Sequence, residues 1–474
     1  MQSFNCTKAG LIAVLFLAAG MQPAFSQDAP VSMQQMWEAI QKQQTEIDSL
    51  KKENSELKNR LPVEQEAAQP SLGSVEKEEQ SVPQSIKEFS DTDSDKKASD
   101  KNEGAKFEVF GFVQADAIYD FDRVDPDWND GSRPSKIPVQ NTGEFGADGE
   151  AIVSVRQSRI GFRSTTPTSM GAINAWMEWD LYGTGNDAGE TTLNLRHFWA
   201  ELGSWGAGQT WTGWMDIDIF PNTIDYWGPT GMVFIRKPQI RYTHNLDDNG
   251  TLWSISLEDP SNDIDTGDLR DLSPALNEKV QTKDSLFDVT SRFRSENDWG
   301  HWQLGGIMRR LEYETKGSAN NNPSGTDWGW GLNLTTVAET FGRDQIKLGL
   351  VYGEGIASYF NDGGSSLGTD NLLNNDIEAI ESIGISAYYD HYWDENWSTS
   401  FGWSMHNQDN LDDQAADSFN RGQLAQINLL WSKEEFMTGF EAIWSERKDN
   451  NNESNSDFRV QYSLKYNFAH TLLD

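Results

Sequence analysis

The feature that most constrains this chain is a two-residue alternation of apolar and polar side chains, repeated in segments of about ten residues. In the last segment one face carries Phe458, Val460, Tyr462, Leu464, Tyr466 and Phe468, and the other carries Arg459, Gln461, Ser463, Lys465 and Asn467. A period of two is the geometry of a β-strand. About ten residues suit a tilted strand that crosses a bilayer, whereas soluble strands usually have five or six. The pattern predicts membrane strands, although strands of a soluble sandwich would alternate too.

The connections favour the membrane protein. The pattern predicts 16 strands, which begin near residues 107, 153, 172, 192, 205, 233, 251, 286, 301, 327, 345, 378, 397, 423, 437 and 457. Short turns, such as 246–250, alternate with long loops, such as 259–285. Outer-membrane barrels join their strands in this way, with short periplasmic turns and longer external loops. We therefore predict an all-β fold, a 16-stranded antiparallel transmembrane β-barrel over residues 106–468, with a C-terminal extension at 469–474.

The N-terminal residues predict export. Lys8 is the only charge before an apolar run at 9–19, and Ala24-Phe25-Ser26 offers a cleavage site, so residues 1–26 are predicted as a signal peptide. Cys6 is the only cysteine, which leaves the mature chain without disulfides. No other stretch reaches the roughly 18 apolar residues of a transmembrane helix.

Two segments separate the signal from the barrel. Residues 27–61 are predicted as a coiled coil, with Met33, Ile40, Ile47, Asn54 and Leu61 at heptad position a and Met36, Gln43, Leu50 and Leu57 at position d. A single amphipathic helix packed on a domain is the alternative. The coil predicts a homo-oligomer without choosing between two strands and three. Residues 62–105 are rich in Glu, Ser, Asp, Lys and Pro, which predicts a disordered linker.

The net charge of −36 is concentrated in the predicted external loops. One loop carries Asp259, Asp263, Asp265, Asp268 and Asp271, and another carries Asp409, Asp412, Asp413 and Asp417. These carboxylates either solvate the loops or bind divalent cations shared with the anionic headgroups of outer-membrane lipid and lipopolysaccharide. We expect no nucleic-acid partner.

Basic residues follow two predicted strands. By parity, the lumen face carries Gln157, Arg159 and Arg163 on the second strand and Lys237, Gln239 and Arg241 on the sixth, with Arg236 beside them. Arg156 has the parity of the lipid face unless a strand end or a bulge turns it inward. Arginine at mid-bilayer on the lipid face costs about 2–4 kcal/mol, so several of these residues should line a pore. They either select anions or form a structural ladder with Glu178, Asp180 and Glu258; the two roles are compatible.

The segment 215–231 connects the fifth and sixth predicted strands. It carries Asp216, Asp218 and Asp225 together with the aromatic residues Phe220, Tyr226 and Trp227. This composition predicts a loop that folds into the lumen as a constriction and faces the arginines with acids. An ordinary external loop is the alternative.

The chain resembles the DcaP-like trimeric porins of Gram-negative outer membranes. The matching stretches lie at residues 111–120, 156–162, 208–211, 238–242, 352–355 and 391–393. The resemblance implies an outer-membrane homotrimer with a periplasmic coiled coil and passive uptake of small anionic solutes such as dicarboxylates. It implies Arg159, Arg163 and Arg241 as the best candidates for the anion path, with Arg236 and Lys237 behind them.

Other functions remain as alternatives. A general or sugar-type porin without anion preference would use a lumenal slide of aromatic residues, for which Trp176, Trp199 and Trp211 are candidates. A structural tether would use the coil to reach towards the cell wall. The six histidines show neither metal-ligand spacing nor a nucleophile motif, so we expect no enzymatic activity, no cofactor and no metal.

Overall fold

The computed structural model describes residues 104–140, 145, 149–371 and 376–473. The predicted signal peptide and coiled coil, and all but the last residues of the predicted linker, lie outside these residues. The strands of the main sheet are β1 (Lys106–Asp120), β2 (Glu150–Ser154), β3 (Arg159–Thr168), β4 (Gly171–Tyr182), β5 (Thr191–Leu202), β6 (Trp205–Trp211), β7 (Arg236–Asn245), β8 (Leu252–Glu258), β9 (Val280–Thr282), β10 (Asp288–Asn297), β11 (Gly300–Thr315), β12 (Gly325–Glu339), β13 (Gln345–Glu354), β16 (Glu381–Tyr392), β17 (Trp397–Asp409), β18 (Phe419–Lys433), β19 (Phe436–Asp449) and β20 (Ser454–Leu473), and a loop hairpin is formed by β14 (Leu367–Asn371) and β15 (Asp376–Ala379).

The main sheet is an antiparallel barrel that closes where β1 pairs with β20. The strands β2 and β3 both pair with β1, and β9 and β10 both pair with β11, so each couple forms one interrupted wall segment. Counted in this way the wall has 16 strands, which confirms the predicted number. Two short helices, α1 (Leu269–Leu272) and α2 (Pro274–Asn277), lie in the loop between β8 and β9.

The connections alternate as the sequence predicts. Those at one end include 169–170, 203–204, 298–299 and 434–435, and those at the other include 121–149, 259–279 and 355–380. Apolar side chains cover much of the outer wall, for example Val153 (83% exposed) and Phe440 (64% exposed). Such a surface is typical of a wall that faces lipid. Among the described residues, no helix is long and apolar enough to cross a membrane.

Two predicted strand boundaries require correction. The second strand was predicted to begin near residue 153, but a turn closed by a hydrogen bond from Ser158 N to Val155 O divides it into β2 and β3. The turn breaks the parity, so Arg156 points inward and is buried. The last strand was predicted to end at Phe468, but it continues to Leu473 because Ala469 and the residues after it pair with the start of β1. Residues 469–473 are therefore barrel wall rather than an extension.

Candidate functional site in the barrel lumen

The connection between β6 and β7, residues 212–235, lies inside the barrel and is called the inward loop here. The first residues of the loop are held by Glu258 on β8. Its carboxylate accepts hydrogen bonds from Thr212 Oγ1 and from Gly213 N, both at 2.6 Å. Glu258 was predicted to pair with lumenal arginines, but within the described residues its hydrogen-bond partners are these loop groups, Thr290 and Tyr359. Glu258 therefore fixes the base of the loop.

The second anchor of the inward loop is Asp216. Its carboxylate is fully buried and is hydrogen-bonded to His301 Nε2 at 2.9 Å and to Thr335 Oγ1 at 2.6 Å. Arg294 pairs with Asp216 at 3.2 Å and with the neighbouring Asp218 at 2.6 Å. Burial raises the pKa of Asp216, but the hydrogen bond from His301 and the charge of Arg294 outweigh it, and the pKa lies well below its usual range.

Asp216, Asp218 and His301 also bring their possible ligand atoms within 4.8 Å of one another. The guanidinium of Arg294 already donates to both carboxylates. A divalent cation would have to displace this charge, so the donor set suits an ion pair better than a metal ion.

The middle of the inward loop is bound to the far wall. Lys347 on β13 donates to Phe220 O at 2.8 Å and pairs with Asp390 on β16 at 3.0 Å. Glu441 on β19 accepts hydrogen bonds from the backbone N–H groups of Ile224 (3.0 Å) and Asp225 (2.9 Å). The loop therefore runs along the inner wall of the barrel, and the constriction predicted for residues 215–231 stays a prediction.

The loop ends near β3, β4 and β5. Gln157 donates to Ile224 O and to Asp116, both at 3.0 Å, and the Tyr226 hydroxyl donates to Asp180 at 2.6 Å. The Asp225 carboxylate accepts hydrogen bonds from backbone N–H groups of the first external loop and of its own turn. Burial raises the pKa of Asp225, against the opposing effect of a nearby arginine charge and these hydrogen bonds. Asp225 thus holds the backbone of the inward loop.

Between the inward loop and the short turns lies a cavity of about 700 Å³, called the main cavity here. Its basic lining residues are Arg159, Arg163, Arg196, Arg343 and Lys465. Acidic residues of the short turns, Glu395, Glu434 and Glu435, lie at its mouth. Glu178 and Asp225 also line the cavity, and Arg343 belongs to the short turn 340–344, so charges of both signs lie along its wall.

Two of the deep arginines share an acidic partner. Arg159 lies 3.6 Å from Glu178, and Arg196 lies 2.7 Å from Glu178 and 2.9 Å from Asp180. Arg163 makes two hydrogen bonds with Glu108, at 3.0 and 2.6 Å, and its side chain is 42% exposed. The arginines thus form part of a structural ladder, as the sequence suggested, while Arg159 and Arg163 still line the main cavity.

The predicted basic residues of β7 lie elsewhere. Arg241 is buried, donates to Gln239 and to Trp211 O, and lines a second, smaller cavity of about 90 Å³. Lys237 is buried below an external loop, where it donates to Pro260 O at 3.3 Å. Arg236 lies over the Trp211 ring, 5.0 Å from its centroid. None of these basic residues lines the main cavity among its described residues.

The smaller cavity brings together the three tryptophans considered for a sugar slide, Trp176, Trp199 and Trp211, with Asp216 and Asp218 of the inward loop. Trp199 and Trp211 are only 6% and 7% exposed. Their rings therefore offer little surface to a passing solute.

Sequence reasoning missed Arg196 and Lys465. The pairing of β4 with β5 shifts between Glu178 and Trp179, and this bulge leaves both Arg196 and His197 buried on the inner side. A strict period of two cannot show such a shift. Lys465 had the correct lumenal parity, and its ammonium lies 3.9 Å from the Phe112 ring centroid. Parity alone could therefore have identified Lys465.

The acidic external loops are joined to each other. Asp265 accepts hydrogen bonds from Gln414 and Ser418, at 2.9 and 2.7 Å, and Arg270 pairs with Asp417. Some carboxylates of the external loops thus take part in contacts between the loops.

Comparison with known proteins identifies relatives of this fold. The family model of the DcaP outer membrane protein matches residues 80–468. The outer membrane channel DcaP of Acinetobacter baumannii has 21% identity and a TM-score of 0.65, with 77% of this chain and 98% of that chain covered. An anion-selective porin from Comamonas acidovorans has 11% identity and a TM-score of 0.50, with 77% and 100% covered. A search of curated proteins gives no match.

The family match spans most of the chain, and the closed 16-stranded barrel agrees with it. The chain therefore belongs to the DcaP outer membrane protein family and is an outer-membrane porin.

Proposed function

We propose that this porin conducts small anionic solutes, with dicarboxylates among them, through the main cavity. The observation that carries the proposal is the position of Lys465 beside Arg159. Both cations lie near the ring of Phe112, with Lys465 at 3.9 Å and Arg159 at 5.2 Å from its centroid. Among the described residues Lys465 makes no ion pair, and it lines the main cavity together with Arg159.

The surroundings support anions over sugars. Arg159, Arg163 and Lys465 line the same cavity, and the two arginines retain exposed side-chain surface of 17% and 42%. Two of the three tryptophans that a sugar slide would need, Trp199 and Trp211, are buried. The acidic mouth opposes entry of anions, but salt screens charges over about 8 Å at physiological ionic strength, so the deep cations act locally.

The test is the reversal potential of the purified porin in a planar bilayer under a salt gradient. A unit charge about 8 Å from the ion path changes the ion energy by about 0.5 kcal/mol in water, or about twofold in permeability ratio. We expect Lys465→Met and Arg159→Gln each to lower the anion-to-cation ratio by about this factor. Lys279→Met, in an external loop, is the matched control and should leave the ratio unchanged. Cation preference of the unaltered protein would reject the proposal.

We also propose that the porin is a homotrimer whose predicted coil, residues 27–61, lies in the periplasm. The heptad pattern and the family resemblance support this assembly. Deletion of residues 27–105 tests whether the coil is needed: the barrel should still conduct, and chemical cross-linking should reveal whether trimers persist. Divalent cations are proposed to bridge the acidic external loops to lipopolysaccharide, and depletion of calcium without loss of stability or of trimers would exclude this role.

A further inference from the structure

The long external loops contact one another across the mouth of the barrel. The described residues of four of them, 121–149, 259–279, 355–380 and 410–418, are called the external cover here. Loop 121–149 follows β1 and loop 355–380 precedes β16, and these strands lie five positions apart around the wall. Neighbouring strands are about 4.8 Å apart, so a contact between these two loops reaches over the mouth.

That contact centres on an ion pair between Arg133 and Asp362. Arg133 Nε donates to the Asp362 carboxylate at 2.8 Å, and Ser135 donates to it from its backbone N–H and its hydroxyl, both at 2.7 Å. The guanidinium lies between the rings of Trp128 and Trp227, 4.2 and 4.0 Å from their centroids. The side chains of Arg133 and Asp362 are 14% and 0% exposed. Neither buried charge is compensated without the other, so the pair holds the two loops together.

The same two loops are attached to the inward loop. Trp227 Nε1 donates to Asn361 O at 2.9 Å, and Asn361 Nδ2 donates to Trp227 O at 2.6 Å. Ser132 N donates to the Asp225 carboxylate at 2.9 Å. The external cover is therefore packed directly on the inward loop.

A second contact crosses the mouth, from the loop after β8 to the loop after β17, two strands that lie six positions apart around the wall. Asp268 N donates to Asp413 O at 3.1 Å, and Arg270 pairs with Asp417. The external cover thus spans the mouth in two places.

The main cavity lies on the other side of the inward loop. Its lining includes residues of the inward loop and of the short turns, such as Asn222 and Asn396, but none of the described residues of the external cover. In this arrangement the cavity opens towards the short turns, which are periplasmic in barrels of this kind.

We propose that the external cover is a gate, closed in this structure, and that the ion pair of Arg133 and Asp362 is its latch. When the pair separates, loops 121–149 and 355–380 can move apart and open the lumen to the outside. Water then hydrates both charges, which offsets part of the lost attraction and allows the latch to open reversibly. The gate acts on solutes of either charge, so it goes beyond the proposed function.

The first test is single-channel recording from the purified full-length porin. Asp362→Asn keeps the shape of the side chain and removes its charge. A hydrogen bond to a charged group is strong enough to change an equilibrium by about tenfold, so the ratio of open to closed time should rise by about this factor. Arg133→Met should act in the same direction. The matched control is Asp417→Asn, which also breaks an ion pair between external loops. That pair is 44% and 45% exposed, so the ratio should change by about twofold at most.

The second test locks the gate. Cys6 lies in the predicted signal peptide, so Ser135→Cys combined with Asp362→Cys places two thiols in a mature chain that has no others. A short bifunctional methanethiosulfonate reagent should bridge them and stop the current, and a reducing agent should restore it. Each single-cysteine variant, treated in the same way, should keep its current.

The outcomes separate the latch, the gate and the proposed function. Equal ratios of open to closed time in Asp362→Asn and Asp417→Asn would reject the latch, and Arg133→Met decides if Asp362→Asn does not fold. A bridged double variant that conducts as well as the unbridged one would reject the gate. Migration of the unheated protein on a gel shows which variants form a barrel. The reversal potential, which tests the anion preference, is read from open channels, so either proposal can fail without the other.

Discussion

Asp216 of the inward loop and His301 of β11 are joined by a hydrogen bond of 2.9 Å, and both side chains are buried. The two residues are 85 positions apart in the sequence. Arg294 on β10 and Thr335 on β12 also bind the Asp216 carboxylate. Together these contacts attach the inward loop, which starts after β6, to strands β10, β11 and β12. The path of a solute therefore depends on contacts that are distant in sequence.

Asp216→Asn should loosen the inward loop. It removes the charge that Arg294 and His301 face, and hydrogen bonds to charged groups contribute about 1.5–3 kcal/mol. We expect a loss of about 2 kcal/mol in unfolding free energy and larger open-channel current noise. Asp218→Asn is the control: its side chain is 34% exposed, and it should cost no more than about 1 kcal/mol. Equal noise in both variants would argue against the anchor.

The pKa of Asp216 also predicts how the loop responds to acid. Because its pKa is lowered in the folded protein, its stabilising contribution is present above the unfolded value of about 3.9 and is lost as the pH falls below it. We therefore expect this anchor to hold between pH 7 and pH 5. Current noise recorded over this range should stay constant and should rise only at stronger acidity, whereas Asp216→Asn should be noisy throughout.

Glu441→Gln should release the middle of the inward loop. The carboxylate accepts two backbone N–H groups with its two oxygens, and an amide would turn a donor towards one of them. The expected cost is about 2 kcal/mol, with more frequent subconductance steps in single-channel records. Glu453→Gln, at an exposed turn, should leave both properties unchanged. Identical records from the two variants would exclude Glu441 as an anchor.

Arg156→Met should destabilise the barrel by about 3–5 kcal/mol, because it leaves the buried Asp130 carboxylate without its cation. The pair lies at 2.7 Å, with side chains 6% and 3% exposed. Arg123→Met is the comparison: its contact with Glu150 is 3.7 Å and partly exposed, so the expected cost is about 0–1 kcal/mol. Urea unfolding followed by gel mobility measures both values, and equal losses would contradict the prediction.

Strand parity predicted the strands of the barrel wall, because the alternation of side chains along a strand depends only on neighbouring residues in the sequence. The sequence identified the 16 strands and the inward orientation of Arg159, Arg163 and Arg241. It left the orientation of Arg156 open, and the turn that ends β2 directs this residue inward; it missed Arg196 because a bulge adds a residue. These irregularities depend on pairing with neighbouring strands, which a period of two does not encode.

The sequence did not show which side chains of different strands lie close together inside the lumen. Lys237 and Arg241 share a strand and a face, yet Lys237 lies under Pro260 while Arg241 lines the smaller cavity. Lys465 and Arg159 approach the same ring only because β20 and β3 both pair with β1. Such relations follow from the register of the closed sheet and the path of the loops.

Gly161→Ala should displace the Phe110 ring, because the added Cβ would lie 2.4 Å from the ring. Overpacking of this kind typically costs about 1–3 kcal/mol, so the thermal unfolding midpoint should fall. Gly306→Ala is the control, since the nearest atoms to its added Cβ lie at 3.9 Å. Equal midpoints for the two variants would show that the ring moves away without cost.

The seam between β1 and β20 has a consequence for assembly. Lys465 pairs in register with Gln114, and its ammonium reaches the Phe112 ring of the first strand. The proposed anion path at Lys465 and Phe112 therefore lies at the junction of the two strands that are farthest apart along the chain, whose pairing carries the largest loop-closure entropy. A barrel inserted with this junction open would lack the contact between Lys465 and the Phe112 ring. Selectivity for anions over cations can thus report complete closure of the barrel. A barrel with an open junction would conduct both kinds of ion alike.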